Sequence, residues 1–297
     1  MHNQKKAYIF ALMAVLCWST VATAFKIALQ NCTFIQLLFY TSFISTIMLF
    51  IILIIQKKTS QLIKIERKTA AYSLTLGILN PFLYYTILFK AYSILPAQEA
   101  MTLNYTWPVM LVLLSIPLLK QKLTIKSMVA IFVSFTGIII ITTKGNIINL
   151  SLSNVFGDTL AVGSSIIWAL FWIYNVKDKK DEVIKLFLNF LAGTICSGIL
   201  MIALTGFTSL NPEAIPAIVY VGILEMSVTF VFWLLALKYT ASTDKVSQLI
   251  FLSPFLSLLF IHLIIKETIA IYTLAGLVFI LGGIAIQQSS FKFIKKI

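Results

Sequence analysis

The sequence predicts an all-α integral membrane protein of ten transmembrane helices, arranged as two inverted five-helix repeats. Three observations lead there. Of the 297 residues, 60% are apolar and 11% charged, with a mean hydropathy of +0.98, whereas a soluble domain is about 45–50% apolar and about 25% charged. Ten apolar stretches approach or exceed the roughly 20 residues that a helix needs to cross about 30 Å of hydrocarbon. The two halves of the chain also match one another at a shift of 146 residues.

That composition excludes a soluble enzyme, a disordered chain and a nucleic-acid binder. The net charge of +13 is scattered over short connectors and forms no long basic stripe. Cys17, Cys32 and Cys196 are odd in number and lack CxxC spacing, so they form neither a disulfide framework nor a zinc site.

The predicted segments cover residues 8–29, 34–55, 70–91, 97–119, 127–142, 157–175, 184–207, 214–237, 246–265 and 269–287. Pro96 divides the third from the fourth, and the fifth is short. All are helices, because hydrocarbon satisfies no open backbone group and no segment alternates as a barrel strand does. Lysine and arginine set the topology. With both termini cytoplasmic, all but four of the 23 (Lys26, Lys90, Lys144 and Lys266) fall on the inner face, as the positive-inside rule requires. The expected location is the cell's inner membrane. Lys5, Lys6, an apolar run and Ala22-Thr23-Ala24 imitate a secretory signal. Cleavage there would remove a helix that the repeat requires, so the segment is kept.

The repeat shows in particular residues. Leu103, Pro108, Leu113, Lys120, Gly137 and Ile138 fall on Leu249, Pro254, Leu259, Lys266, Gly283 and Ile284. Gly77-Ile-Leu-Asn80 falls on Gly222-Ile-Leu-Glu225 one residue out of that register, and Trp18 meets Trp168 at an offset of 150. The expected units are 1–143, 157–287 and a basic cytoplasmic tail, 288–297. Five helices per unit is odd, so the second enters the membrane from the opposite face. Inverted repeats are a construction principle of secondary transporters, with a midplane site between the repeats.

Further motifs fit one superfamily. They are Trp18-Ser19-Thr20, Ala91-Tyr92, Gly157-Asp158, Ala236-Leu237-Lys238-Tyr239, Ser253-Pro254, Lys266-Glu267 and the run from Glu99 through Asn104-Tyr105-Thr106-Trp107-Pro108. With them the chain resembles, over nearly its whole length, the drug/metabolite transporter superfamily of EamA type. The Asn-Tyr-x-Trp-Pro element is similar to that of its aromatic amino-acid exporters. Gln121, where the second repeat has Glu267, departs from the pattern. The resemblance implies a ten-helix EamA fold, export of a metabolite or drug, and a site lined by the third, fourth, eighth and ninth helices.

Glu225 is the sharpest candidate on chemistry alone. A carboxylate near the bilayer centre costs about 2.5–3.5 kcal/mol on insertion scales, so it should face a cavity or a partner. It either binds a cationic part of the substrate or takes the coupling proton; alternatively it is a protonated tie between helices. Asn80 is its repeat partner. Pro108 and Pro254 are expected mid-helix, where each frees a carbonyl, as kinks or as site linings. Asn104, Tyr105 and Trp107 surround the first proline, and Gln248, Phe251 and Phe255 the second, offering amides and stacking faces. The substrate-contacting set is Asn80, Tyr84, Asn104, Trp107, Glu225, Thr229, Gln248 and Phe251; the gating or coupling set is Glu225, Lys90, Glu99, Pro108 and Pro254.

Other polar residues have plainer roles. Ser19, Thr23 and Lys26 share a face of the first helix, and Ser165, Trp168, Trp172 and Asn175 a face of the sixth, either lining a path or packing helices. A Lys90–Glu99 pair across the Pro96 turn is expected as an outer latch, Lys26 as a snorkelling cation, and His262 as an interfacial histidine. Asp158 and Glu267 are expected to cap helix starts.

Neither catalytic motif nor cofactor site is present: there is no HExxH, GxSxG or GxxxxGK[ST], and two histidines make no metal set. The expected partners are a small-molecule substrate, the lipid bilayer and possible coupling protons, with no nucleic acid. A secondary carrier that exports by rocking of the two halves is the leading expectation. An uptake permease of the same superfamily, an intramembrane lipid-modifying enzyme and an assembly subunit are the alternatives.

Overall fold

A computed structural model describes residues 3–120, 124–146, 154–206, 208–240, 246 and 248–288. The spanning helices are α1 (Gln4–Asn31), α2 (Phe34–Ile55), α3 (Arg67–Ile94), α4 (Ala97–Leu119), α5 (Ile125–Thr142), α6 (Val155–Asn175), α7 (Glu182–Leu204), α8 (Pro212–Tyr239), α9 (Leu249–Ile265) and α10 (Ile271–Gln288). Eight are long and apolar enough to cross a membrane, while α9 and α10 are the shorter pair. A five-residue helix, Thr59–Ile63, lies between α2 and α3. The basic tail after residue 288 and Gln121 lie outside the described residues.

Local sequence explains the helix ends. Side chains of Asn3, Thr33, Thr124, Asn154 and Asp181 accept from the first free amides of α1, α2, α5, α6 and α7. At the other ends Lys57, Lys120, Lys144 and Lys266 take left-handed backbone, with φ of 55°, 53°, 51° and 58°. Glycine usually fills such positions, but a lysine there places its charge on the negative end of the helix dipole. Lys120 and Lys266 are repeat partners and close α4 and α9 alike.

The two repeats interleave. α1 packs on α8 and α9 of the second repeat, and its counterpart α6 packs on α3 and α4 of the first. α2 pairs with α7, and α5 with α10. The sequence halves therefore do not pack as two separate bodies, contrary to what the linear order suggests. α1 runs unbroken through the buried Ala22 and Ala24, so the apparent cleavage site lies inside a packed helix. Ile9, Leu12 and Leu16 of α1 point outward, where hydrocarbon requires apolar surface.

Close approach needs glycine between α5 and α10. A Cβ on Gly137 would stand 2.5 Å from the Gly276 carbonyl oxygen, and one on Gly283 would stand 2.5 Å from that of Ala130. These small residues let the backbones touch, as small-xxx-small faces do in membranes. Gly282 faces open space.

The lysine-rich end carries the described ion pairs. Lys58 Nζ lies 2.6 Å from Asp181 Oδ2, Lys180 Nζ 2.8 Å from Asp178 Oδ1, and Lys185 Nζ 2.7 Å from Glu182 Oε1. Ser73 donates to Asp178 Oδ2 at 2.5 Å, tying α3 to the α6–α7 connector.

Candidate functional site

α3 and α8 are both broken at matched places. Each is 28 residues long. α3 is kinked over Ile78–Leu83, where non-helical backbone interrupts it, and α8 changes from α- to π-helical winding over Val221–Val228. Asn80 itself is extended (φ −144°, ψ 120°). A kink and a π stretch both free backbone groups, and π stretches recur at functional sites. Asn80 lies in the kink and Glu225 in the π stretch. α4 and α9 break too. α4 is interrupted at Tyr105–Thr106, and a 3₁₀ turn over Gln248–Phe251 precedes the α-helical part of α9.

These breaks correct the expectation for the prolines. Pro108 is the second residue of the segment Trp107–Leu119, and Pro254 the third of Leu252–Ile265. In a first turn the missing N–H breaks no helical hydrogen bond, so the prolines start new segments instead of kinking continuous ones.

The glutamate faces the protein interior. Glu225 is 9% exposed, and the Tyr85 hydroxyl donates to its Oε1 at 3.2 Å. Oε2 is buried with no hydrogen-bond partner. One turn on, Thr229 is fully buried with its hydroxyl unpartnered. Asn80 is also fully buried, and neither its Oδ1 nor its Nδ2 has a partner. No hydrogen bond joins Asn80 to Glu225 among the described residues.

Beside them runs a polar chain with an aromatic wall. The Tyr84 hydroxyl donates to Asn104 Oδ1 at 3.2 Å, and Asn104 Nδ2 donates to Ser164 Oγ at 2.9 Å, linking α3, α4 and α6. Thr106 and Ser165 share a 2.9 Å hydrogen bond. Tyr84 lies 4.7 Å from Tyr85 and 4.6 Å from Trp168 between ring centroids. Trp18 and Trp168, matched in the repeat, each lie 6.2 Å from Phe230. Trp18 also packs at 5.5 Å on Trp233. A small cleft of about 20 Å³ opens beside this wall, lined by Phe171, Trp172, Asn175, Phe230 and Trp233 among others.

The other expected residues have different contacts. Trp107 and Phe251 are half-buried with no ring partner among the described residues, and the Gln248 side chain lies outside those residues. The Lys90–Glu99 latch is not formed. Lys90 Nζ lies 5.1 Å from the centre of the Phe34 ring, and Glu99 accepts from the Tyr272 hydroxyl at 2.9 Å. Both charges thus have nearer partners on other helices. Lys26 does not snorkel. Its Nζ donates to the carbonyls of Tyr92 (2.9 Å) and Leu95 (2.7 Å), where the end of α3 leaves acceptors free. Asn154, not Asp158, caps α6, and both Asp158 carboxylate oxygens are buried without a partner. Glu267 does cap, but on α4 across the repeat boundary. His262 Nδ1 lies 3.1 Å from the Glu267 carbonyl.

Tyr85, Ser164 and Phe230 are the neighbours that sequence reasoning missed. The extended backbone at Asn80 interrupts the helical periodicity that would place Tyr85. A Tyr-Tyr doublet just after Asn80-Pro81 was the available signal.

Comparison with known proteins follows the same two-part pattern. The model of the EamA-like transporter family matches residues 5–143 and 155–287. A protein of Archaeoglobus fulgidus named an uncharacterized transporter is 25% identical over 284 residues, covering 94% of this chain and 96% of its own. A Clostridium kluyveri protein of the same name is 26% identical over 299 residues, covering 97% and 94%. The Bacillus subtilis protein named uncharacterized transporter YoaV is 22% identical over 294 residues, covering 96% and 98%. One crystal structure superposes with a TM-score of 0.66 at 18% identity, over 99% of this chain and 100% of that one, a likeness of fold.

Proposed function

This chain belongs to the EamA-like transporter family of the drug/metabolite transporter superfamily, and from that premise we propose that it is a secondary carrier exporting a small metabolite by alternating access. The observation that carries the reading is Glu225. Its carboxylate is buried between repeat-related broken helices, with one oxygen held by Tyr85 and the other unpartnered. A buried polar atom left unpaired costs about 1–3 kcal/mol, and a carboxylate costs more. Such an arrangement is retained where a ligand or proton supplies the missing partner.

The roles follow from the chemistry present. Glu225 binds an amine of the cargo or takes the coupling proton. Asn80, Asn104 and Thr229 offer amide and hydroxyl groups, and Tyr84 and Trp168 offer ring faces. That set suits an amino acid or another planar metabolite bearing an amine. The interleaved packing favours α3, α4 and α6 moving as one body against α1, α8 and α9. The lysine-rich connectors and both termini lie in the cytoplasm, with the chain in the cell membrane, by the positive-inside rule.

The test is a screen of amino acids, amines and related metabolites for thermal stabilisation of the purified protein. A ligand of the folded state at one hundred times its Kd adds about 2.7 kcal/mol. The expected result is one chemical class that raises Tm in the parent and not in Glu225→Gln. Equal shifts in both proteins overturn the assignment.

A further inference from the structure

At the end of the bundle away from the lysine-rich loops, the two repeats hold each other through side chains. Glu267 Oε2 accepts from the Ala97 amide at 3.0 Å, and Oε1 accepts from the Gln98 amide at 3.1 Å. One carboxylate thus spans the first two free N–H groups of α4, where the helix dipole favours an anion. Gln98 returns the contact. Its Nε2 donates to the Thr268 carbonyl at 2.9 Å, and its Oε1 accepts from the Ala270 amide at 2.8 Å. Beside this clasp the Tyr272 hydroxyl donates to Glu99 Oε1 at 2.9 Å. Gln98 and Glu99 are 4% and 2% exposed. Every one of these bonds joins residues 97–99 of the first repeat to residues 267–272 of the second. Lys26 of α1 grips the adjoining end of α3.

The repeat supplies its own comparison in sequence. At a shift of 146, Glu267 matches Gln121, Gln98 matches Asp244, and the Glu99 and Tyr272 pair matches Lys245 and Lys126. A neutral amide replaces the capping carboxylate. An ionised aspartate has no hydrogen to donate where the glutamine donates. Two like charges stand for the hydroxyl and carboxylate. The residue types that build the clasp are not repeated at its matched positions.

We propose that the reciprocal Glu267–Gln98 clasp, with the Glu99–Tyr272 bond beside it, is the seal that holds the membrane face opposite the lysine-rich loops closed in the resting protein. The inference rests on the carrier reading above, since alternation requires a seal that parts. Removing bonds made only in the closed state moves the population towards the state open on that face.

The reporter is Thr102, one turn below Gln98 on α4 and wholly buried. Thr102→Cys, in a background with Cys17, Cys32 and Cys196 changed to serine, is treated with membrane-impermeant maleimide in right-side-out and inside-out vesicles. With the clasp intact, labelling is slow from the face opposite the lysine-rich loops. Glu267→Gln and Gln98→Leu each accelerate labelling from that face about tenfold, the effect of a shift near 1.4 kcal/mol, and leave the other face unchanged. Tyr272→Phe, which removes one oxygen and keeps the packing, gives a smaller rise and stands in if Gln98→Leu does not fold. Equal rates with and without the clasp overturn the proposal, as does rapid labelling of the intact protein. Solute stabilisation measured on the same samples separates the two readings. Persistent binding with unchanged labelling removes the seal alone, and accelerated labelling with no stabilising solute leaves the seal and removes the carrier reading.

Discussion

Asn80 and Glu225 occupy matched points of the two repeats, each halfway along a 28-residue helix and each where regular α-helical winding is interrupted, yet among the described residues only the Glu225 side chain has a hydrogen-bond partner. The chemistry orders them that way. Burying a carboxylate costs more than burying an amide, and the Tyr85 hydroxyl offsets part of that cost at Glu225. The asparagine remains a buried polar group whose hydrogen-bonding capacity the folded chain does not use.

Asn80→Leu is therefore expected to raise stability by about 1–2 kcal/mol, because two unsatisfied polar atoms give way to an apolar group of similar size. Solute flux should fall in the same variant, the usual outcome where a polar group is kept for function. Thermal denaturation and flux on one preparation check both halves. A lower Tm with normal flux contradicts the account.

Tyr85→Phe deprives Glu225 of its one donor while keeping the ring that packs on Phe25 and Phe89. The expected outcome is a folded protein whose flux drops about tenfold, near the top of the roughly 0.5–1.5 kcal/mol that a hydrogen bond contributes. Tyr84→Phe, which touches Asn104 instead, should alter solute affinity more than turnover. Initial rates across a range of solute concentrations distinguish the two variants.

Asp178 lies in the connector between α6 and α7. Burial alone would raise its pKa, but hydrogen bonds from Lys180 and Ser73, with the Lys180 charge, hold it below the ordinary 3.8. A carboxyl depressed in the folded state adds stability that is full above the unfolded pKa and is lost as pH falls through the folded one. Asp178→Asn should thus lower Tm near neutral pH, by roughly 1–3 kcal/mol of stability. The gap from the parent should begin to close below about pH 4 and vanish only as pH falls through the lower folded value. Melting curves in detergent from pH 7 to pH 3 test it.

The α5–α10 contact makes a steric prediction. Gly137→Ala drives a methyl into the Gly276 carbonyl and Ile280, whereas the methyl of Gly282→Ala meets nothing within 4 Å. The first should cost at least about 1–3 kcal/mol and the second almost nothing. Paired melting temperatures decide it, and equal losses would show that the helices do not pack as described.

Much of the fold was legible because hydrocarbon leaves a chain few options. A span such as 97–119 reads directly from hydropathy, and α4 has the same bounds. The matched Lys120 and Lys266 mark equivalent helix ends. The interleaving of the repeats was not legible, since linear order says nothing about which half α1 packs on. Glu225 could be found because an acidic residue amid twenty apolar ones is costly. Tyr85 was hidden because the break at Asn80 interrupts the helical periodicity that would place it. The Lys90–Glu99 pairing failed for a related reason: proximity along the chain was weighed, while Phe34 and Tyr272 arrive from other helices.

Flux of a labelled solute into proteoliposomes, using a solute that stabilises the parent protein, tests the central claim most directly. Parent protein should carry it well above protein-free liposomes, and Glu225→Gln, folded and monodisperse, should not. Undiminished flux through Glu225→Gln would contradict the claim that the buried carboxylate is where cargo or proton is held.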